Sequence, residues 1–99
     1  MAFHVYILKL ANGSYYTGHT DALEARIAAH QRGLGSGYTR RRRPARLVWS
    51  AEFPTRDEAL SAERQLKRWS RAKKETLIAG WSRLHWLAMK PRERPWSEP

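Results

Sequence analysis

Cysteine is absent from this 99-residue chain, which excludes a disulfide framework and a cysteine-ligated zinc site. Long apolar runs are missing too. The opening segment MAFHVYILKLANG has no basic region ahead of its short apolar stretch, so neither a signal peptide nor a membrane anchor is expected. A soluble, cytoplasmic protein with no membrane role is the expectation. Acidic residues are scarce, 9 against 19 Lys and Arg, for a formal net charge of +10. That balance favours an anionic partner, either nucleic acid or an acidic membrane surface. The excess is uneven. Residues 1–39 hold Lys9, Arg26 and Arg32 against Asp21 and Glu24, so almost all of the net charge falls in 40–99 and suggests a binding face or arm.

The length suits one compact domain. HVYILKL has bulky residues at both alternate sets of positions, as a strand covered on both faces would. Asn12-Gly13 is a hairpin signal, so Ser14–Thr17 should return as an antiparallel strand that Gly18 ends. Thr20 or Asp21 can cap a helix with Leu23, Ile27, His30 and Leu34 on one stripe and Arg26 at its edge. Gly33, Gly35 and Gly37 should leave a flexible loop that leads into YTRRRRPAR. Leu47, Trp49, Ala51 and Phe53 alternate as a third strand. Thr55-Arg56-Asp57-Glu58 reads as a capping box for a helix with Ala59, Ala62, Glu63, Leu66 and Trp69 on one side. Ser70 breaks it, and Arg71–Ile78 forms another short helix. The expected fold is α+β, a small three-stranded antiparallel sheet flanked by helices in the order ββαβαα. Residues 1–80 form the domain, and 81–99 a C-terminal extension, partly helical and then loose.

Each reactive side chain has an ordinary explanation. Tyr6 and Tyr16 suit half-buried strand positions, and His30 suits a satisfied core histidine. Arg26 suits a solvated edge. Glu63 and Lys67 suit an i,i+4 helix pair of about 0.2–0.5 kcal/mol. Glu63 nonetheless falls in the apolar arc of its helix, where a carboxylate is costly unless it is paired, hydrogen-bonded or metal-bound.

The ordered set is more specific than its members. HVY at 4–6 and YTG at 16–18 resemble the paired signature of the GIY-YIG nuclease superfamily. LEARIAAH resembles that family's arginine helix, and Glu58 to Ile78 resembles the helix carrying its metal-binding glutamate. The length and the YTG form are most similar to the small stand-alone bacterial UPF0213 (YhbQ-like) group. The resemblance implies hydrolysis of a nucleic-acid phosphodiester with one Mg²⁺ or Mn²⁺. It makes Glu63 the metal ligand, Tyr16 the leading general base, and Arg26 the group that stabilises phosphate charge in the transition state. Tyr6 would orient the water or share its network, and His30 would hydrogen-bond Tyr16. His19 stands where some relatives carry lysine and would meet the phosphate or a bound water. Two departures stand out: His4 replaces the first glycine of the signature, at a strand edge or narrowing the cleft, and Thr17 replaces a common isoleucine.

Arg40, Arg41, Arg42 and Arg43 read as a backbone-gripping segment beside a phosphate-handling site. Tyr38 would stack on a base or close the cleft, and Lys67 would extend the positive charge. The first expectation is therefore a divalent-metal-dependent endonuclease on DNA, structured or single-stranded, with RNA left open. The alternative is a nucleic-acid-binding module without turnover. A third, an adaptor whose Trp81, Trp86 and Trp96 dock a protein partner, rests on those tryptophans alone.

Overall fold

The computed structural model describes residues 2–80. The expected extension over 81–99, with its three tryptophans, lies outside the described residues. Strand β1 spans Phe3–Lys9 and β2 spans Tyr15–Thr20. They are joined by a turn in which the Asn12 Oδ1 accepts the Ser14 N–H at 3.1 Å, an Asx arrangement that asparagine favours. Strand β3 spans Arg46–Phe53 and pairs antiparallel with the other side of β1, giving the order β2-β1-β3. The bulky residues of β1 on both faces have their cause here. It is the central strand, with Val5, Ile7 and Leu8 fully buried and Tyr6 nearly so.

The two faces have different roles. Val5 and Ile7 pack with Phe53 against Ala59, Ala62, Leu66 and Leu77. The last four come from α3 (Arg56–Arg68) and α4 (Arg71–Gly80). The small alanines let α3 lie close to the sheet. Thr55 caps α3 by accepting the Glu58 N–H at 3.2 Å, as the capping pattern requires. Ser70 separates the two helices and accepts the Lys73 N–H at 3.3 Å. On the opposite face Leu8, Leu10 and Ala45 form a smaller cluster with Tyr16 and Ile27, the latter from α1 (Leu23–Gln31).

Four local expectations change. Gly18 does not end β2 but sits inside it, opposite Tyr6. A Cβ there would lie 2.5 Å from the Tyr6 hydroxyl, so the missing side chain is what lets the phenol cross the neighbouring strand. Thr20 does not cap α1 as its N-cap; that residue is Ala22, and Thr20 Oγ1 accepts the Ala22 N–H at 3.0 Å. Leu34 leaves the apolar stripe and is 71% exposed. The segment expected as a flexible loop holds a short helix, α2 (Gly37–Arg40), whose N-cap Ser36 accepts the Thr39 N–H at 3.3 Å. Among the described residues no helix is long and apolar enough to cross a membrane.

Because the Tyr6 ring is buried and hydrogen-bonded, it has little room to yield. Gly18→Ala is expected to cost about 1–3 kcal/mol, the usual penalty of overpacking, read as a lowered urea midpoint. An unchanged midpoint would show that the ring moves freely.

Candidate active site

Strand alternation sends Tyr6 and Tyr16 to the face that α1 covers. Their rings meet edge-on, with centroids 6.5 Å apart. His30, 2% exposed near the end of α1, lies beside both, 5.8 Å from the Tyr6 ring and 5.3 Å from the Tyr16 ring. Its Nε2 is 3.0 Å from the Tyr6 hydroxyl. The expected hydrogen bond from His30 to Tyr16 is therefore made to Tyr6 instead. Tyr6 projects from the central strand directly beneath α1, whereas Tyr16 sits on the edge strand and meets the imidazole with its ring.

The other imidazole nitrogen extends this network. His30 Nδ1 is 2.9 Å from Thr39 Oγ1, and that hydroxyl donates its only proton to the Ser36 carbonyl at 3.0 Å. We assign Nδ1–H as the donor to Thr39, the tautomer in which Nε2 offers its lone pair to the Tyr6 O–H. A polarised chain runs from Tyr6 through His30 and Thr39 to the backbone. The glycine-rich segment is shaped to close on this ring, since a Cβ at Gly35 would overlap the imidazole. Thr39, fully buried, had no role in the sequence reading, and Gly35 entered it only as part of a flexible loop. A four-residue helix is too short for periodicity to announce it, and only Ser36, three positions before Thr39, offered a capping signal.

Burial, and next Tyr16, push the Tyr6 phenol well above its ordinary pKa near 10; Arg26 pulls it back, and Glu63 raises it further. Tyr6 thus stays protonated at neutral pH. Burial, with Arg26 adding to it, holds His30 below its ordinary value of 6.5. Arg26 is solvent-exposed on α1 and reaches the cluster through its charge.

Two predictions arise from this network. Thr39→Val leaves Nδ1–H buried without its acceptor, a loss of about 1–3 kcal/mol. It also releases the tautomer, so imidazole ¹⁵N shifts should move in Thr39→Val and return in Thr39→Ser; identical shifts in all three proteins would contradict the assignment. The second concerns pH. A histidine whose folded pKa is depressed contributes stability above its unfolded value, and that contribution is lost as pH falls through the folded value. The melting temperature should drop between pH 7.5 and pH 5 by more in the wild type than in His30→Gln. An equal drop in both would remove His30 as the cause.

Glu63 approaches from α3, on the other face. Its residue is 9% exposed, its Oε1 lies 3.1 Å from His19 Nδ1 on β2, and its Oε2 lies 3.6 Å from Lys67 Nζ. The expected i,i+4 pair is present, and His19 meets this carboxylate. The two groups of side chains lie on opposite faces of β2, an edge strand of the sheet. An open groove of about 340 Å³ follows that edge, lined by Tyr15, Tyr16, Thr17, Tyr38, Lys67 and Lys74.

The four arginines do not act as one block. Arg42 lies over the Tyr38 ring at 3.8 Å and donates to the Tyr38 carbonyl at 3.0 Å. Arg43 donates to the Arg40 carbonyl at 3.2 Å. Arg40 and Arg41 are exposed at the end of α2. Tyr38 stacks on Tyr16 with centroids 6.5 Å apart and donates to Ser14 Oγ at 3.1 Å. His4 sits near the end of the central strand, not at an edge, with Nε2 3.8 Å from Glu52 Oε2.

One carboxylate is a thin donor set, and among the described residues no group of three or more His, Asp or Glu side chains could hold a metal. That suits Mg²⁺ or Mn²⁺, hard ions that bind through one or two carboxylates and fill their other positions with water and phosphate oxygens. It does not suit a closed zinc site.

Comparison with known proteins gives a consistent result. Residues 2–76 match the model of the GIY-YIG catalytic domain. The UPF0213 protein BH0048 of Halalkalibacterium halodurans is 46% identical over 79 residues, 80% of this chain and 84% of that one. The UPF0213 protein XAC3202 of Xanthomonas axonopodis pv. citri is 42% identical over 97 residues, 98% of this chain and 86% of that one. The solution NMR structure of the UPF0213 protein BH0048 from Bacillus halodurans superposes with a TM-score of 0.53 at 42% identity, covering 94% of this chain and 92% of that one.

Proposed function

Since the chain belongs to the GIY-YIG catalytic domain family, a nuclease family, we propose that it is a divalent-metal-dependent endonuclease that hydrolyses DNA phosphodiester bonds, including those of structured or single-stranded DNA. The observation that carries this is the Tyr6–His30–Thr39 hydrogen-bond chain beside Tyr16, with the charges of Arg26 and Glu63 both bearing on the Tyr6 phenol. Tyr16 joins this buried chain to the open groove, since its ring meets both Tyr6 and His30 and also lines the groove.

Glu63 would hold Mg²⁺ or Mn²⁺, exchanging its His19 and Lys67 contacts for the ion. The bound ion would supply Lewis-acid stabilisation of the phosphate and a more acidic water. Tyr16 would take the proton of the attacking water while passing its own hydroxyl proton on, by way of the Tyr6 hydroxyl, to Nε2 of His30, so that every proton has a destination. Tyr6, protonated and donating its O–H to His30, would keep lone pairs free to accept from Tyr16 or from that water. Arg26 would stabilise the charge that grows on the phosphate oxygens. Lys67, His19, Tyr38 and Arg40–Arg43 would hold the nucleic acid, through phosphate contacts and stacking that carry no base code.

A nucleic-acid-binding module without turnover is the second reading, on DNA or RNA. One observation favours it: both Glu63 oxygens already have partners, so the carboxylate is satisfied without an ion. The deciding experiment offers single-stranded, duplex and branched DNA and RNA of one sequence to the protein with Mg²⁺, Mn²⁺ or a chelator. Metal-dependent products from at least one DNA are expected. Salt-sensitive binding with intact strands throughout would leave the passive binder.

A further inference from the structure

Lys74 received no role of its own in the sequence reading, yet it occupies the groove with Lys67, Thr17, Tyr15, Tyr16 and Tyr38. It is half-buried on α4, whereas its neighbour Lys73 is exposed and turned over the Trp69 ring. Burial, and next the ammonium of Lys67, hold Lys74 below its ordinary pKa. Two like charges are thus kept within reach of each other in a partly desolvated groove, an arrangement that costs stability in the free protein. Beside them Thr17 is 4% exposed, and its hydroxyl has no hydrogen-bond partner among the described residues. A buried hydroxyl without a partner is also costly. Both costs are relieved by the same kind of ligand, an anion with several acceptor oxygens.

We propose that Lys67 and Lys74, with Thr17 beneath them, form a second phosphate subsite. It takes an internucleotide phosphate of the substrate next to the one that Glu63 and Arg26 would handle. Lys67 links the two positions, since its ammonium already reaches Glu63 Oε2 at 3.6 Å. The stacked Tyr16 and Tyr38 rings in the same groove give the adjoining base or sugar an apolar surface. The strand would then run along the free edge of β2, from the catalytic cluster towards α4. The proposal deepens the nuclease reading but rests on binding alone, so the two can fail separately.

The test is binding of a labelled oligonucleotide, single-stranded and duplex, in chelator so that no strand is cut. Affinity is measured across a salt series for the wild type, Lys74→Gln, Lys74→Arg and Arg56→Gln. Arg56 is an exposed cation at the far end of α3, about 16 Å along the helix from Lys67. Loss of one phosphate contact should lower the slope of log affinity against log salt by about 0.7 for a single strand or 0.9 for a duplex. Lys74→Gln should show that drop, Lys74→Arg should restore it, and Arg56→Gln should change it little. Lys74→Gln should also melt no lower than the wild type, because it removes a like-charge contact. A Lys74→Gln slope equal to the wild type, or a drop matched by Arg56→Gln, would overturn the subsite. Lys74-dependent binding by a protein that never cuts would support it and remove the nuclease reading instead.

Discussion

Glu63→Gln is expected to lower metal-dependent strand scission by a factor on the order of 10³, because a bound divalent ion supplies several kcal/mol of transition-state stabilisation and each 1.36 kcal/mol is tenfold in rate. The substitution keeps shape and an amide oxygen that can still accept from His19, so folding should be retained. Nucleic-acid affinity in chelator should hold or rise. The change removes a negative charge and frees Lys67, which now pairs with Glu63 at 3.6 Å, to meet phosphate. This separation of cutting from binding is the signature of a metal ligand. Equal losses of both would instead mark Glu63 as a structural anchor for His19 and Lys67. The readouts are single-turnover cleavage of a labelled oligonucleotide and its equilibrium binding without metal.

Arg26→Ala should cost about 10²–10³ in the same cleavage rate, the range for losing one preorganised donor to a developing oxyanion. Its exposure makes the test clean, since an exposed arginine contributes little to packing. Arg26→Lys should recover part of the loss, as an ammonium supplies charge without the planar fork. A secondary effect accompanies the main one. Arg26 helps to depress His30 and lowers the Tyr6 phenol. Its removal should therefore move His30 back towards its ordinary value, visible in an NMR titration of the imidazole. Cleavage by Arg26→Ala within a factor of two of the wild type would exclude Arg26 from the chemistry.

The strands and long helices were legible because their signals are local. The two-faced apolar pattern of β1 follows from its central position, and the Thr55 capping pattern marked the start of α3. Gly18 was misread for a physical reason. A glycine inside a strand signals either an end or a close approach, and only the cross-strand register with Tyr6 tells which. Spacing put His30 on the inner stripe of α1 and the family resemblance gave it a place in the site, but its partner was not legible, because no sequence signal says whether a histidine under a helix meets the central or the edge strand. Thr39 escaped altogether, since its role depends on a four-residue helix folding back over the imidazole. The contacts within the arginine run were not legible: Arg42 and Arg43 are engaged with Tyr38 and with backbone carbonyls, which composition cannot show.

The most direct measurement is an Mn²⁺ titration of the ¹⁵N-labelled protein by NMR, with Glu63→Gln alongside. Paramagnetic broadening centred on Glu63, His19 and Tyr16, and lost in the variant, is the predicted result. Broadening centred elsewhere, or unchanged when the carboxylate becomes an amide, would contradict an ion seated at the tyrosine groove.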